Sequence, residues 1–275
     1  MCFPKNERMA LTQSVAEKLQ CMAQRQKCFI NKQNLKELSK DEFEQYMNIR
    51  TACFHFIKLP HNHFHTGSDT FAAAINILDV FLWKVKVTER HLTIVAVACF
   101  LIAAKMFEPE ELCPSAKDLS RNFEWTTKDL CRMESHILSK FGWCSSTVSY
   151  LDFVSLFADI YGMSTDATSH KITELAQQCL AKQSTVLLEP AVLALSLIHH
   201  FKTENCTSPS EQQLLVYCNI QEQSLKECCE SLSTIAASSP FCASKVKPKL
   251  PQRRFDKPSE MGITCLSTIE EDMSA

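Results

Sequence analysis

Apolar residues recur along this chain three and four positions apart, in one run after another, which is the period of helices packed on one side. Leu11, Val15 and Leu19 fall four apart in a stretch otherwise rich in Gln and Lys. Residues 1–40 are therefore expected to form one or two weakly packed helices. Phe43, Tyr46, Met47 and Ile49 open a second run, with Asp41 placed to cap it. The run continues through MNIRTACFHFIKL to Pro60. A proline inside a helix loses a hydrogen bond and clashes with the preceding turn, at about 3 kcal/mol, so an end or a kink is predicted there. PHNHFHTG then reads as a loop. Ser68 or Asp69 can cap the next helix, whose stripe is Phe71, Ile75, Leu78, Leu82 and Val85. Thr88 and Glu89 start a helix whose apolar run, TIVAVACFLIAAK, stops at Lys105. After a loop with Glu108, Pro109 and Glu110, Ser115 caps a short helix over 116–121. Thr126 or Thr127 caps the helix in DLCRMESHILSKFGW, with Asp129 in the first turn, where the macrodipole favours an anion. That helix sets Glu134 among Leu130, Met133, Ile137 and Leu138.

After Trp143 the polar CSSTVS separates two halves, and the second repeats the grammar of the first. Tyr150, Phe153, Val154 and Phe157 form one stripe; Ile172, Leu175, Ala176, Cys179 and Leu180 form another. Glu189-Pro190 starts AVLALSLIHHF, apolar on nearly all sides, with proline at a first turn that has no donor to lose. Shorter helices over 208–217 and 221–236 follow. Two halves of about five helices, each with a hydrophobic third helix, point to an internal duplication of an all-α unit. The expected divisions are an N-terminal extension at 1–40, one box at 41–145, a second at 146–237 and a tail at 238–275. The tail is basic and Pro-rich, then acidic, and cannot bury enough apolar surface to order itself.

Composition agrees with helices. The 275 residues include only 4 glycines, too few for a chain built on hairpin turns. Hydrophobic residues make 45% and charged residues 22%, as in globular chains. A net charge of −2 gives no electrostatic footprint for nucleic acid. The 15 cysteines contain no C-x-x-C pair, and Cys53, Cys99, Cys131 and Cys179 lie in apolar runs. They read as buried free thiols of a reducing compartment. His61, His63 and His65 alternate, yet without Cys or carboxylate partners they read as a solvated loop rather than a metal site. No secretory h-region opens the chain, and no apolar run reaches the roughly 18 residues of a membrane span. An intracellular protein with no membrane contact is expected. No Gly-rich phosphate loop, nucleophile elbow or metal-ligand cluster appears, so neither an enzyme nor a cofactor is expected.

Two phrases carry a family resemblance. AAKMFEPEE followed by LCRMESHIL resembles the third and fifth helices of a cyclin box. INILDVFL is similar to the cyclin signature in which an aspartate pairs with an arginine of the first helix. By ungapped spacing these are Asp79 and Arg50, a structural ion pair; the signature's next arginine is Val80 here. Thr70-Phe71-Ala72, Asn76-Ile77-Leu78-Asp79, the Lys105–Pro114 loop length, RMES and LEPAVLALSLI most resemble G-type cyclins, the cyclin G/I branch. The resemblance implies a tandem cyclin fold over 41–236, and a non-catalytic regulator of cell-cycle or growth control in cytoplasm and nucleus.

It also implies partners. In cyclins the lysine and glutamate hydrogen-bond main-chain groups of a cyclin-dependent kinase's regulatory helix, and apolar neighbours pack against it. The matching positions are Lys105, Glu134, Ile102, Met106, Leu138 and Trp143. The groove by which cyclins recruit substrates matches Ile49, Cys53 and Phe56, with His55 in place of an aspartate, so docking of cyclin-type substrate motifs is not expected. In the tail, Leu266, Ile269 and Glu271 fit L-x-x-I-x-E, a motif that enters a groove on B′ regulatory subunits of protein phosphatase 2A, which G-type cyclins bind. The same tail fits a turnover signal. The alternative for the whole chain is a cyclin-fold adaptor without a kinase.

Overall fold

The structure is a computed structural model that describes residues 11–27, 38–121, 123–142, 148–163, 165–182, 188–202 and 211–238. Its elements are helices, with no strand among the described residues. In chain order they are α1 (Gln13–Lys27), α2 (Lys40–Phe64), α3 (Ser68–Lys84), a 3-10 turn (Glu89–His91), α4 (Leu92–Phe107), α5 (Ala116–Ser120), α6 (Thr127–Lys140), α7 (Tyr150–Tyr161), α8 (Thr165–Leu180), α9 (Pro190–Phe201), α10 (Glu211–Cys218) and α11 (Glu222–Ser238).

Two apolar helices act as axles. Every residue of α4 from Ile94 to Ala104 is buried, with α2, α3 and α6 packed around it. In α9 every residue from Ala191 to Ile198 is buried against α7, α8 and α11. Each large aliphatic or aromatic side chain removed from water in these helices is worth about 1.5–3 kcal/mol. Ser196 lies fully inside, and its hydroxyl donates back to Val192 O at 2.8 Å, so it is not left bare. The 19 residues Glu89–Phe107 are long and apolar enough to cross a membrane by length and composition. That extends the run read from the sequence, because the 3-10 turn joins it; the neighbouring helices account for its apolar character.

Helix starts are written in local chemistry. Ser39 with Glu42, Thr126 with Asp129 and Ser149 with Asp152 each form a capping box, in which the hydroxyl accepts from the third helical amide and the carboxylate accepts from the cap's own amide. The cap of α2 is therefore Ser39, not Asp41. Pro190 occupies the first turn of α9, and Gly162 closes α7 at φ 61°. At α3 neither Ser68 nor Asp69 is the cap; that position is Gly67, which offers no side chain.

Three expectations need correction. Pro60 does not end α2: the helix runs one more turn to Phe64 and closes at His65 in the left-handed region, φ 52°. The proline is buried, and in the extra turn the His61 ring packs on Phe71, tilted, with centroids 4.8 Å apart. His61 and His63 are thus helical, and His61 is buried rather than solvated. Within the N-terminal segment, α1 is not weakly packed either. Ala16, Leu19, Met22 and Ala23 of α1 are buried; Leu19 and Met22 join the core of the second box. Gln26 accepts from Ala191 N and donates to Glu189, gripping the start of α9. Finally, Cys53, Cys99 and Cys179 are buried free thiols, Cys53 and Cys179 pushed up to about 12 by burial, whereas Cys131 is exposed.

Side chains among the described residues bridge the two cores. Arg50 donates to Leu180 O, Asn76 donates to Val148 O, and Gln177 of α8 donates to His61 Nε2 at 3.3 Å. The last bond fixes the tautomer, leaving His61 Nδ1 to donate to Thr66 Oγ1 at 2.9 Å. Burial, then the charge of Lys58, pushes the His61 pKa below its ordinary 6.5. The fold thus binds this proton less readily than the unfolded chain does. The stability His61 contributes is complete above the unfolded value and is lost as pH falls from there through the lower folded value. His199 is shifted the same way, first by burial. We expect the melting temperature to fall between about pH 7 and 5.5, and less steeply in His61→Asn. Identical pH profiles for the two proteins would exclude His61 as a source of the slope.

Candidate partner-docking site

The end of α4 and the middle of α6 build one charged edge. The α4·α6 packing places Lys105 Nζ 2.5 Å from Glu134 Oε1, to which it donates. The two side chains differ in environment: Lys105 is 50% exposed and Glu134 12%. The amphipathic pattern of α6 explains this. Leu130, Met133 and Ile137 face the core, which leaves Glu134 at the boundary and Leu138 half-buried beside it. Lys105 lies just past the last buried residue of α4, where the helix emerges from its neighbours.

The apolar rim is arranged differently from the sequence expectation. Ile102 is buried beneath the surface and supports it, rather than facing outward. Met106 is 39% exposed, and Trp143 lies outside the described residues. Two residues were missed: Phe107 and Leu112, 47% and 66% exposed. Their signal was in MFEPEEL, where large apolar residues interrupt an acidic loop without helical periodicity. Met106 and Phe107 follow Lys105 at the end of α4, Leu112 lies in the loop beyond, and Leu138 stands one turn after Glu134; with the ion pair they make the candidate docking shelf. Such a surface suits an apolar helix face with polar main-chain groups at its end.

Elsewhere, Arg50 and Asp79 form a two-pronged pair, Nε to Oδ1 at 2.6 Å and Nη2 to Oδ2 at 3.0 Å, inside the first box. Of the substrate-groove positions, Cys53 is fully buried and donates weakly to Leu92 O; Ile49 and Phe56 are half-buried and His55 exposed. Leu266, Ile269 and Glu271 lie outside the described residues. No group of three or more His, Cys, Asp or Glu among the described residues is arranged to hold a metal ion.

Two helical boxes side by side, each wrapped around an apolar third helix, define the tandem cyclin fold. Residues 17–146 match the cyclin N-terminal domain and residues 148–262 the cyclin C-terminal domain. The chain belongs to the cyclin family. Among its relatives are G-type cyclins. It is 32% identical to Cyclin-G1 of Homo sapiens over 157 residues, 54% of this chain and 53% of that protein. Over 158 residues it is 32% identical to Cyclin-G2 of Mus musculus, 55% of this chain and 46% of that protein. It is also 32% identical to Cyclin-G1 of Sus scrofa over 143 residues, 49% and 48%. The chain thus spans about half the length of the curated relatives it matches. The X-ray structure of a viral cyclin from herpesvirus saimiri superposes with a TM-score of 0.61 at 19% identity, covering 80% of this chain and 97% of that one, a likeness of fold.

Proposed function

We propose that this chain is a non-catalytic cyclin of cell-cycle or growth control, acting in cytoplasm and nucleus, that binds a cyclin-dependent kinase through the Lys105–Glu134 shelf. One observation carries the reading: a paired lysine and glutamate at the meeting of two helices, with exposed Met106 and Phe107 following the lysine and exposed Leu112 in the loop beyond. The kinase's regulatory helix lays its apolar side on the rim. The two charges hydrogen-bond its main-chain ends and fix its register. Placing that helix completes the kinase's own Lys–Glu pair over the nucleotide, so the chemistry belongs to the kinase. The test is capture of the intact chain followed by mass spectrometry, with Glu134→Ala beside it. A kinase present in the first capture and missing from the second supports the reading; equal recovery, or no kinase in either, refutes it and favours the adaptor.

The tail extends the proposal to phosphatase recruitment. In an extended peptide, Leu266 and Ile269 fill two apolar pockets and Glu271 meets a basic one on a B′ subunit of protein phosphatase 2A. Phosphorylation of Ser267 or Thr268 adds negative charge beside Glu271. Leu266→Ala with Ile269→Ala is expected to release the B′ subunit in a pull-down. Retained subunit would exclude this motif.

A further inference from the structure

The start of α3 lacks the capping box found at the starts of α2, α6 and α7. Its N-cap is Gly67, with no side chain to give, and its third helical residue is Thr70, not the Glu or Asp found at that position in α2, α6 and α7. The missing carboxylate comes from elsewhere. Glu108 Oε1 accepts from Gly67 N at 2.7 Å and from the buried Thr70 hydroxyl, although Glu108 is 41 positions away. Glu108 is at the same time the C-cap of α4, its amide donating to Ala104 O at 2.9 Å. It stands three residues after Lys105. The loop that carries Leu112 leaves from it, with Leu112 N and Cys113 N both donating to Pro109 O.

We infer that Glu108 is a positioning residue for the docking shelf: a capping carboxylate supplied across helices, which ties the end of α4 to the start of α3. The bond to α3 holds the backbone where the chain turns out of α4. It thereby fixes the direction in which Lys105, Met106 and Phe107 are presented and the place of Leu112. Without it Lys105 keeps its charge but loses a fixed base, and a partner must order the loop on binding. This rests on the reading of the shelf as a kinase site.

The two roles open to Glu108, reach and charge, separate cleanly by substitution. Glu108→Gln keeps the length and a carbonyl oxygen able to accept both hydrogen bonds. Glu108→Asp keeps the charge but is one carbon too short. The full-length chain and Glu108→Ala, Glu108→Asp and Glu108→Gln are compared in two measurements. In the free chain, amide exchange at Gly67 and across 108–113 is expected to quicken about fivefold to tenfold in Ala and Asp, the loss of about one capping interaction, and to stay near the original rate in Gln. Against the purified cyclin-dependent kinase captured by the unaltered chain, Ala and Asp are expected to raise Kd by a similar factor through faster dissociation, with Gln close to unaltered. Unchanged exchange in Glu108→Ala overturns the cap. Affinity kept in Asp and lost in Gln overturns positioning in favour of direct charge contact. Faster exchange with unchanged affinity, while Glu134→Ala still weakens binding, overturns positioning and leaves the kinase reading standing. If no kinase binds the unaltered chain, the kinase reading fails and the inference falls with it, the exchange rates then reporting only on the cap.

Discussion

Arg50→Ala is expected to destabilise the protein by about 3–5 kcal/mol, the cost of leaving a buried partner charge alone. Arg50 is 1% exposed, and each of its three guanidinium nitrogens donates a hydrogen bond. Two go to Asp79 and the third goes to Leu180 O at 2.8 Å. Leu180 is the last residue of α8, so its carbonyl has no partner within its own helix and sits at the negative end of the helix dipole. One guanidinium therefore closes the pair between α2 and α3 and also caps a helix of the second box. Burial alone would push its pKa down, and the adjacent Asp79 carboxylate more than offsets that, holding the charge. Removal strands a carboxylate that is 15% exposed and unties the two boxes at one point. The midpoint of denaturant unfolding measures the loss. Arg50→Met with Asp79→Leu is expected to be milder than Arg50→Ala, because the double change leaves no unpaired charge. A loss under about 1 kcal/mol in Arg50→Ala would mean the pair is wet and the account wrong.

How far the chain could be read in advance follows from how local each cause is. The axles α4 and α9 are legible because burial on all sides demands unbroken apolar runs. Lys105 and Glu134 are legible because each sits at the margin of such a pattern. Ser39 was legible as well: Ser39-Lys40-Asp41-Glu42 carries the capping-box spacing, and the acidic Asp41 drew attention away from it. The burial of α1 is written in Ala16, Leu19, Met22, Ala23 and Gln26, a helical face that the many Gln and Lys residues around it obscure. Other features leave no sequence trace. The Arg50 bond to Leu180 ends on a backbone oxygen 130 residues away, and the Glu108 bond to Gly67 on a backbone amide. Main-chain groups are the same at every residue, so no pattern of side chains marks which one will be used. The continuation of α2 past Pro60 is of this kind too: a local rule is overridden where His61 packs on Phe71.

Glu134→Ala is expected to be the costliest single change on the shelf, weakening the proposed kinase binding by about 2–5 kcal/mol, a factor of about thirty or more. Lys105→Ala should cost less, and the reason lies in the free protein. Glu134 is already largely out of water at 12% exposure, so covering the shelf demands little further desolvation of it and gains a charge-assisted bond. Lys105 is 50% exposed and must be stripped of water before it can contribute, so part of its gain is consumed. The losses should also be less than additive. With either residue gone the other faces the partner without its neighbour, and Lys105→Ala with Glu134→Ala removes both the bond and the stranded charge. The fold should feel little of this, because an ion pair with one exposed member is worth about 0–1 kcal/mol, or a few degrees in melting temperature. Isothermal titration against a purified kinase, with thermal unfolding of each variant, reads both quantities. Affinity retained in Glu134→Ala would sink the proposed use of this edge. Affinity lost together with a collapse of the thermal transition would show that Glu134 serves the fold, which its place at the rim of α6, with the core contacts carried by Leu130, Met133 and Ile137, argues against.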